Sequence, residues 1–199
     1  MRSRVWTRAL MIFAGLLVAA EGGAVVKNGG KTAIKGAERR SIKVSVSKQR
    51  LYLCRGDKTV KSYPVSTAAN GAGSRAGSKQ TPLGAHVISD KIGDGAPANT
   101  IFVARESTGR IAAIRAAATD PMPKDDLVTS RILWLEGMEE GVNKGPGVDS
   151  FKRCIYIHGT ADEYAIGRPA SHGCIRMKNR DVIELFELVA KGDRVEIVE

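Results

Sequence analysis

Aromatic residues make up only 5% of the 199-residue chain, which also contains only three cysteines and three histidines. It has no internal repeat and no basic stripe interleaved with aromatic residues, so we expect no nucleic-acid partner. Disorder throughout is excluded, because 43% of the residues are hydrophobic and supply enough apolar surface for a core. The length favours one globular domain over two.

The N-terminal region lacks an apolar run long enough for a typical membrane span. Residues 9–20 form an apolar run of 12 residues, whereas a span needs about 20. Three arginines precede this run and small residues end it. The layout predicts a secretory signal peptide over residues 1–20, cleaved before Glu21, with an uncleaved anchor as the alternative. No cysteine follows the run, which argues against lipid attachment there.

Residues 21–41 lack aromatics and are rich in glycine, which predicts a basic flexible linker. The net charge of +10 points at first to a polyanionic partner. However, the three arginines of 1–20 and the excess of five Lys/Arg over two Glu in 21–41 carry six of these charges, which leaves +4 for residues 42–199. We therefore expect the N-terminal segment, rather than the folded part, to lie near an anionic wall or membrane.

The rest of the chain reads as short strands separated by turn residues, with one C-terminal helix. Residues 180–191 have helical apolar spacing, Asn179 is a candidate cap and Gly192 a candidate end. Residues 70–84 hold too many glycines for a regular element and predict a long loop, and residues 111–118 are ambiguous. Strands are predicted at 42–46, 51–54, 59–67, 100–104, 127–135, 155–158 and 194–198.

One cysteine and two histidines lie within 17 positions, at His158, His172 and Cys174. A nucleophilic cysteine needs a partner that favours the thiolate, since an ordinary pKa of about 8.5 leaves few thiols ionised at neutral pH. A histidine serves as this partner and later returns the proton. Zinc is an alternative, but a fourth ligand is not obvious and the spacing matches no common zinc pattern. We therefore expect no metal, and nucleophilic catalysis by a cysteine needs no other cofactor.

The neighbours of Cys174 fit the same chemistry. Gly173 lets the backbone approach a bound carbonyl, and the amides around Cys174 suit a developing oxyanion. Arg176 carries the planar fork that binds carboxylates. Each of these signals is weak by itself.

The combined pattern consists of His158–Thr160 followed by Ile166–Met177, with Ser62–Thr67 and Gly77–Gly84 upstream. It resembles the active-site signature of the L,D-transpeptidase (YkuD-type) catalytic domain family. The resemblance covers about residues 42–198, which we take as the catalytic domain 42–199. Its Ser-His-Gly-Cys core, coupled to an upstream His-Gly, is highly specific.

The resemblance implies a mainly β, β-sandwich-like domain that acts on peptidoglycan stem peptides outside the cytoplasmic membrane, in the periplasm or cell wall. Cys174 would attack a tetrapeptide donor, release D-alanine and hold an acyl-enzyme. His158, oriented by the Gly159 region, would be the general base and acid. The amine of an acceptor stem would then resolve the thioester and give a 3→3 cross-link.

The same resemblance implies supporting roles for four neighbours of Cys174 and His158. His172 would face substrate or support the site, Ser171 and Gly173 would shape the elbow that presents the sulfur, and Arg176 would recognise a stem carboxylate. The alternatives are a structural role for His172, hydrogen bonds from Ser171 to backbone groups alone, and a surface ion pair for Arg176.

Several functions share this chemistry. The same thioester resolved by water would make the protein an L,D-carboxypeptidase or a cross-link hydrolase, and some family members attach lipoproteins instead. A non-catalytic wall-binding protein is a further alternative, against which the intact Ser-His-Gly-Cys run speaks. We expect a monomer.

The remaining histidine and cysteines lie outside this pattern. His86 follows the glycine-rich loop in an alternating stretch and is expected to be structural. Cys54 and Cys154 lie in strand-like apolar runs, so small buried hydrophobes are the default interpretation. A Cys54–Cys154 disulfide in an oxidising compartment is the alternative, and it would leave Cys174 free.

Overall fold

Residues 39–115, 117 and 126–199 are described by the computed structural model. Their α-helix, α1, spans Asn179–Leu188, and a short 3-10 helix spans Glu163–Ala165. The ten strands are β1 (Arg40–Ser45), β2 (Arg50–Arg55), β3 (Lys58–Pro64), β4 (Gly84–Ile92), β5 (Thr100–Val103), β6 (Glu106–Ile111), β7 (Val128–Gly137), β8 (Tyr156–Thr160), β9 (Ile175–Met177) and β10 (Arg194–Val198). The predicted fold, mainly β with a C-terminal helix, is confirmed.

One sheet connects all ten described strands, in the order β3-β2-β1-β10-β4-β7-β5-β6, and β8 and β9 branch from it at β7. The pairs β1–β10 and β8–β9 are parallel. An isolated bridge between Ser66 and Arg176 links the segment after β3 to β9, at the far end of the sheet. The sheet therefore wraps around one main core in a sandwich-like manner.

The core forms where alternating strand residues meet the apolar face of α1. Ile42 and Val44 of β1 are buried, and they belong to one cluster with Val182, Leu185 and Phe186 of α1. Burying an aliphatic or aromatic side chain of this size stabilises the fold by about 1.5–3 kcal/mol. This cluster also holds Ile157 of β8 and Ile175 and Met177 of β9, so the two strands that carry the candidate site pack against the main core.

The start of α1 differs from the sequence prediction. The N-cap residue is Lys178, with no side-chain cap, and Asn179 is the first helical residue. The Asn179 side chain is turned toward the protein interior instead, where its Nδ2 donates to Thr160 O at 2.7 Å and to Glu163 Oε1 at 2.9 Å. The prediction of an Asn179 cap is therefore wrong, because a buried amide network takes that side chain.

The end of α1 also differs, since the helix stops at Leu188 rather than at Lys191. Val189 is already extended. The Lys91 ammonium donates to two carbonyls at this end of the helix, at 2.5 and 2.7 Å. Carbonyls at the end of the helix are therefore bound by a lysine of β4, and Gly192 does not end the helix as predicted. Gly192 lies in the turn before β10.

Seven predicted strands are present with small shifts of their ends, as β1, β2, β3, β5, β7, β8 and β10. The sequence does not predict β6 or β9, and it indicates β4 only as an alternating stretch. Strand β6 is exposed along its whole length and so shows no apolar alternation, while β9 has only three residues. Residues 70–83 contain no strand, as expected for the loop.

Three of the predicted segments lie wholly or partly outside the described residues. Residues 1–20 and most of 21–41 lie outside the described residues. Ile111 ends β6, residues 112–115 are irregular, and part of the ambiguous segment lies outside the described residues. Within the described part of the chain, no helix has the length and apolarity needed to cross a membrane.

All three cysteines are free, so Cys54 and Cys154 do not form a disulfide. Both are also partly exposed rather than fully buried. Cys54 Sγ lies 3.8 Å from Thr59 Oγ1, whereas Cys154 Sγ lies 3.8 Å from Arg105 Nη1. Cys54 thus faces β3, whereas Cys154 faces the turn between β5 and β6.

Candidate active site

Cys174 lies beside β8 because it immediately precedes β9, which runs parallel to β8. The register places Ile157 opposite Ile175 and His158 opposite Arg176. The Tyr156 N–H donates to Cys174 Sγ at 3.4 Å, and the thiol donates to Cys154 O at 3.3 Å. The main chain at the start of β8 therefore fixes the sulfur, and Cys174 as a residue is partly exposed.

A tight turn presents Cys174. Ser171 is buried, and its hydroxyl donates to Cys174 O at 2.6 Å and accepts from the Gly173 N–H at 3.2 Å. Gly173 has φ +131°, and a Cβ there would lie 3.3 Å from Gln80 O. Glycine is favoured at 173 for both reasons, because a side chain would be strained and crowded. The structure thus places Ser171 and Gly173 in the elbow that precedes the sulfur.

The glycine-rich loop packs against this elbow. Thr81 Oγ1 donates to Gly173 O at 3.0 Å. Arg153 binds three loop carbonyls, with Nη1 on Gly73 O and Ser74 O and Nη2 on Gln80 O at 2.6 Å. Because one guanidinium satisfies three carbonyls, Arg153 holds the loop against the turn that carries Cys174.

His158 is buried, with 1% of its surface exposed, and its Nδ1 lies 2.7 Å from Gly159 O. A carbonyl only accepts hydrogen bonds, so this contact requires a proton on Nδ1 and leaves Nε2 as the lone-pair acceptor of a neutral ring. Residue 159 has no room for a side chain, since a Cβ there would lie 2.6 Å from Asn179 Oδ1 and 2.7 Å from Thr129 O. Gly159 therefore sets both the backbone path and the tautomer of His158.

Burial keeps both reactive groups uncharged. It lowers the pKa of His158, against the opposing effects of the Asp126 carboxylate and the Gly159 carbonyl. Burial also raises the pKa of Cys174 to about 12, although the hydrogen bond from Tyr156 N–H acts in the other direction. The resting site thus holds a neutral thiol and a neutral imidazole rather than a thiolate–imidazolium pair.

Asp126 joins two of the predicted site residues. Its Oδ2 pairs with Arg176 Nη2 and lies 3.4 Å from His172 Nδ1. His172 is exposed, whereas Arg176 is buried with 4% of its surface exposed. Within the described part of the chain, Arg176 Nε and Asp126 Oδ1 are buried without a hydrogen-bond partner. Arg176 thus directs its charge at Asp126, and its binding of a stem carboxylate stays a prediction.

A buried network behind His158 was not apparent from the sequence. Asn179 Oδ1 accepts hydrogen bonds from Thr129 Oγ1 and Ser130 Oγ, each at 2.6 Å. With the contacts of its Nδ2 to Thr160 O and Glu163, this side chain ties β7, β8 and α1 together around Gly159. The only sequence signal was the position of Asn179 at a helix start, which indicates a cap instead.

His86 lies in the protein interior and has partners for both ring nitrogens. Its Nδ1 lies 3.0 Å from Gly84 O and its Nε2 lies 3.0 Å from Ser150 Oγ. Burial lowers its pKa, which keeps the ring neutral. These contacts support the structural role expected for His86.

Among residues 39–115, 117 and 126–199, no three His, Cys, Asp or Glu side chains come together as a metal-binding group.

The similarity to known proteins covers more of the chain than the Ser-His-Gly-Cys motif does. A family model described as the L,D-transpeptidase catalytic domain (YkuD) matches residues 39–197. The chain is 56% identical to the putative L,D-transpeptidase YkuD of Bacillus licheniformis over 41 residues, which are 21% of this chain and 25% of that protein. It is 25% identical to the probable L,D-transpeptidase YcfS of Escherichia coli over 169 residues, 84% of this chain and 47% of that protein. The chain thus matches less than half the length of these curated relatives.

Solved structures include similar but distant chains. An L,D-transpeptidase from Xylanimonas cellulosilytica is 16% identical, with a TM-score of 0.47 over 85% of this chain and 65% of that one. L,D-transpeptidase 3 from Mycobacterium tuberculosis, solved with a faropenem-derived adduct, is 14% identical, with a TM-score of 0.47 over 80% and 60%. The assignment rests instead on the family model, which covers most of the chain and every residue of the site described above. The protein belongs to the L,D-transpeptidase catalytic domain family.

Proposed function

We propose that this protein is a peptidoglycan L,D-transpeptidase that uses Cys174 as its nucleophile. It takes the acyl group of a tetrapeptide stem, releases D-alanine and transfers the acyl group to the amine of a second stem, which gives a 3→3 cross-link. The observation that carries the proposal is the neutral His158 ring, held by Gly159 O at 2.7 Å, on the strand whose start holds the Cys174 sulfur through main-chain hydrogen bonds.

The first step needs a base, because Cys174 with a pKa of about 12 supplies almost no thiolate at neutral pH. The free lone pair on His158 Nε2 takes the thiol proton as the sulfur attacks. The attacked carbonyl is the one that precedes the terminal D-residue. Proton transfer and attack together avoid the cost of a free thiolate in a buried site.

The second step is collapse of the tetrahedral intermediate. Its negative oxygen is stabilised by backbone N–H groups in the turn around Cys174, which the Ser171 hydroxyl and Gly173 hold in place. The protonated His158 gives its proton to the leaving amine of D-alanine. A thioester on Cys174 remains, and no metal or nucleotide is required for this acyl transfer.

The third step runs the first two in reverse with a different amine, so the sulfur leaves as the new amide forms. The acceptor amine attacks the thioester, His158 accepts the amine proton, and the thiol is restored when that proton returns to Cys174. Water as the acceptor would trim the stem instead, so the identity of the acceptor decides between a cross-link and hydrolysis. We propose the amine of a second stem as acceptor, in keeping with the family.

The reaction products distinguish an amine acceptor from water. Purified protein is incubated with a disaccharide tetrapeptide, with and without an acceptor amine, and the products are weighed by mass spectrometry. We expect cross-linked dimers with wild-type protein and with the matched control Cys54→Ala, and none with Cys174→Ala or His158→Ala. Tripeptide alone, even with excess acceptor, would contradict cross-linking, and dimers from Cys174→Ala would contradict the assigned nucleophile.

We further propose that the protein works as a monomer outside the cytoplasmic membrane, in the periplasm or cell wall. Its substrate lies there, and the apolar run preceded by three arginines at residues 1–20 has the layout of a secretory signal. This location can be tested with a fusion of residues 1–41 to a reporter that is active only after export. We expect activity from the fusion and loss of activity when the run is interrupted by charged residues, whereas an inactive intact fusion would contradict it.

A further inference from the structure

The hairpin of β5 and β6 turns through Ala104 and Arg105. Val103 pairs with Glu106, so these two residues form the whole turn. Both have positive φ, 49° and 73°. Two-residue turns with both φ values positive strongly favour Asn-Gly, because a side chain in this region is strained. Ala-Arg at this turn is therefore locally unfavourable, and such strain persists where surrounding contacts support it.

The contacts of Arg105 provide that support. Its Nη1 donates to Tyr156 Oη at 3.2 Å and lies 3.8 Å from Cys154 Sγ, and its guanidinium carbon lies 4.5 Å from the centre of the Trp134 ring. Trp134 is itself stacked on Phe151 at 3.9 Å. A flexible side chain is thus held in one position by an aromatic platform, a hydroxyl and a thiol.

The residues that hold Arg105 also hold the candidate nucleophile. The Cys154 carbonyl and the Tyr156 N–H are the two hydrogen-bond partners of Cys174 Sγ. Phe102, from the same hairpin, packs in one cluster with Tyr156, and Cys154 and Cys174 lie against that cluster. The hairpin therefore brings a fixed cation to the edge of the site that contains the thiol.

Arg105 has no acidic partner among the described residues, unlike several other arginines. Arg176 pairs with Asp126, Arg115 with Asp162 and Arg40 with Asp193. In the described part of the chain the hydrogen bonds of the Arg105 side chain involve only Nη1, and none of its nitrogens is buried without a partner. Its Nη2 and Nε are therefore available to solvent or to a ligand, in the fork geometry that matches a carboxylate.

We propose that Arg105 binds a carboxylate of the donor stem peptide and thereby positions the attacked carbonyl at Cys174. The proposal rests on the function proposed above and adds a specificity-determining residue to it. A tetrapeptide stem that ends in D-alanine carries a terminal carboxylate, and a diamino dicarboxylic acid at the preceding position carries another. Both present the same chemistry to a guanidinium, so the donors used in the test separate them.

The test compares kcat/KM for three donors: the free tetrapeptide, its C-terminal amide and the amide at the diamino-acid carboxylate. The variants are Arg105→Gln, Arg105→Lys and the matched control Arg110→Gln, which removes the same charge from an exposed position on β6. For the free donor we expect Arg105→Gln to lower kcat/KM by about 10- to 100-fold, the range for a lost charge-assisted hydrogen bond. Arg105→Lys should recover part of this loss, and Arg110→Gln should stay within about twofold of wild type.

The amide donors identify the carboxylate. In wild-type protein, one of the two amides should lower kcat/KM as much as Arg105→Gln lowers it for the free donor. In the Arg105→Gln variant, the same amide should lower kcat/KM no further. If both amides lower kcat/KM as much in Arg105→Gln as they do in wild-type protein, the proposal is overturned. It is also overturned if Arg105→Gln behaves like Arg110→Gln.

Two controls separate this inference from folding and from the proposed function. Arg105→Gly suits the turn, so it should keep the wild-type unfolding temperature within a few degrees and yet lose the wild-type donor preference, as Arg105→Gln does. A variant that unfolds early but keeps the preference would overturn the proposal. Wild-type protein that converts none of the donors would overturn the proposed function and the inference together, whereas conversion without a role for Arg105 would overturn the inference alone.

Discussion

Nδ1 of His158 lies 2.7 Å from the carbonyl oxygen of Gly159, the next residue in the chain. This contact leaves Nε2 free to accept a proton, and burial keeps the ring neutral. The candidate base is therefore prepared before any substrate binds, while the thiol stays protonated. Activity should therefore depend on this pair of neutral groups and on the residues that hold them in place.

The pH dependence of acylation should reflect a lowered His158 pKa. The base is active when neutral, so the rate should be kept as pH falls through 6.5, the ordinary value for histidine, and be lost only below it. The measurement is kcat/KM for the donor against pH. An acidic midpoint above 7 would contradict the account.

Asp126 should tune this midpoint. Its carboxylate raises the His158 pKa, and it also pairs with Arg176, whose charge lowers that pKa. In Asp126→Asn both effects act in the same direction, so the acidic midpoint of kcat/KM should move to lower pH. Asp94→Asn, at an exposed position, is the control and should leave the midpoint in place. An unchanged or higher midpoint in Asp126→Asn would count against this role.

Alkylation of Cys174 should be slow at neutral pH and should still accelerate between pH 9 and 11. The reason is that burial raises the Cys174 pKa to about 12, so the reactive thiolate becomes common only in alkaline solution. The measurement uses iodoacetamide and peptide mass spectrometry in a background of Cys54→Ala and Cys154→Ala. A rate that levels off below pH 9 would contradict a neutral resting thiol.

Gly159→Ala should damage both stability and activity. An added Cβ would lie 2.7 Å from Thr129 O, a backbone atom that cannot rotate away, so we expect a loss of about 1–3 kcal/mol in the free energy of unfolding. Chemical denaturation measures this loss. Gly109→Ala is the control, because its φ of +70° gives strain of about 1–2 kcal/mol but its Cβ meets nothing within 4 Å. Acyl transfer should fall in Gly159→Ala and persist in Gly109→Ala.

Arg153→Met should loosen the glycine-rich loop. The variant removes the donor to three loop carbonyls, and we expect a loss of about 1–3 kcal/mol in stability with faster proteolysis within residues 70–84. Limited proteolysis with mass mapping detects the cut sites. Arg75→Met, at an exposed position in the same loop, should leave the pattern unchanged. Equal protection of the loop in both variants would show that Arg153 does not hold it.

The sequence allowed prediction of the parts of the site that are encoded locally. Ser171, Gly173 and Cys174 are adjacent, and one turn brings them together. His158 follows the apolar run at residues 155–157, so its place in the sheet could also be expected. The apolar face of α1 followed from residue spacing, and Val182, Leu185 and Phe186 are indeed buried.

Other parts depend on contacts between distant segments. Arg105 lies 49 positions before Cys154 and reaches it only because a strained turn folds the β5–β6 hairpin onto β8. Asp126 meets Arg176 only after β7, β8 and β9 have paired. The preference of asparagine for the helix N-cap did not predict the role of Asn179, because its side chain forms hydrogen bonds in the protein interior instead. No local pattern contains these relationships.

The intact mass of the protein after brief incubation with a disaccharide tetrapeptide and no acceptor shows whether Cys174 carries the acyl group. We expect an added mass equal to the donor minus D-alanine, carried by the peptide that contains Cys174 and removed by hydroxylamine. The adduct should be absent from Cys174→Ala and present in Cys54→Ala. Release of D-alanine by wild-type protein with the adduct on any other residue, or release that persists in Cys174→Ala, would contradict the account.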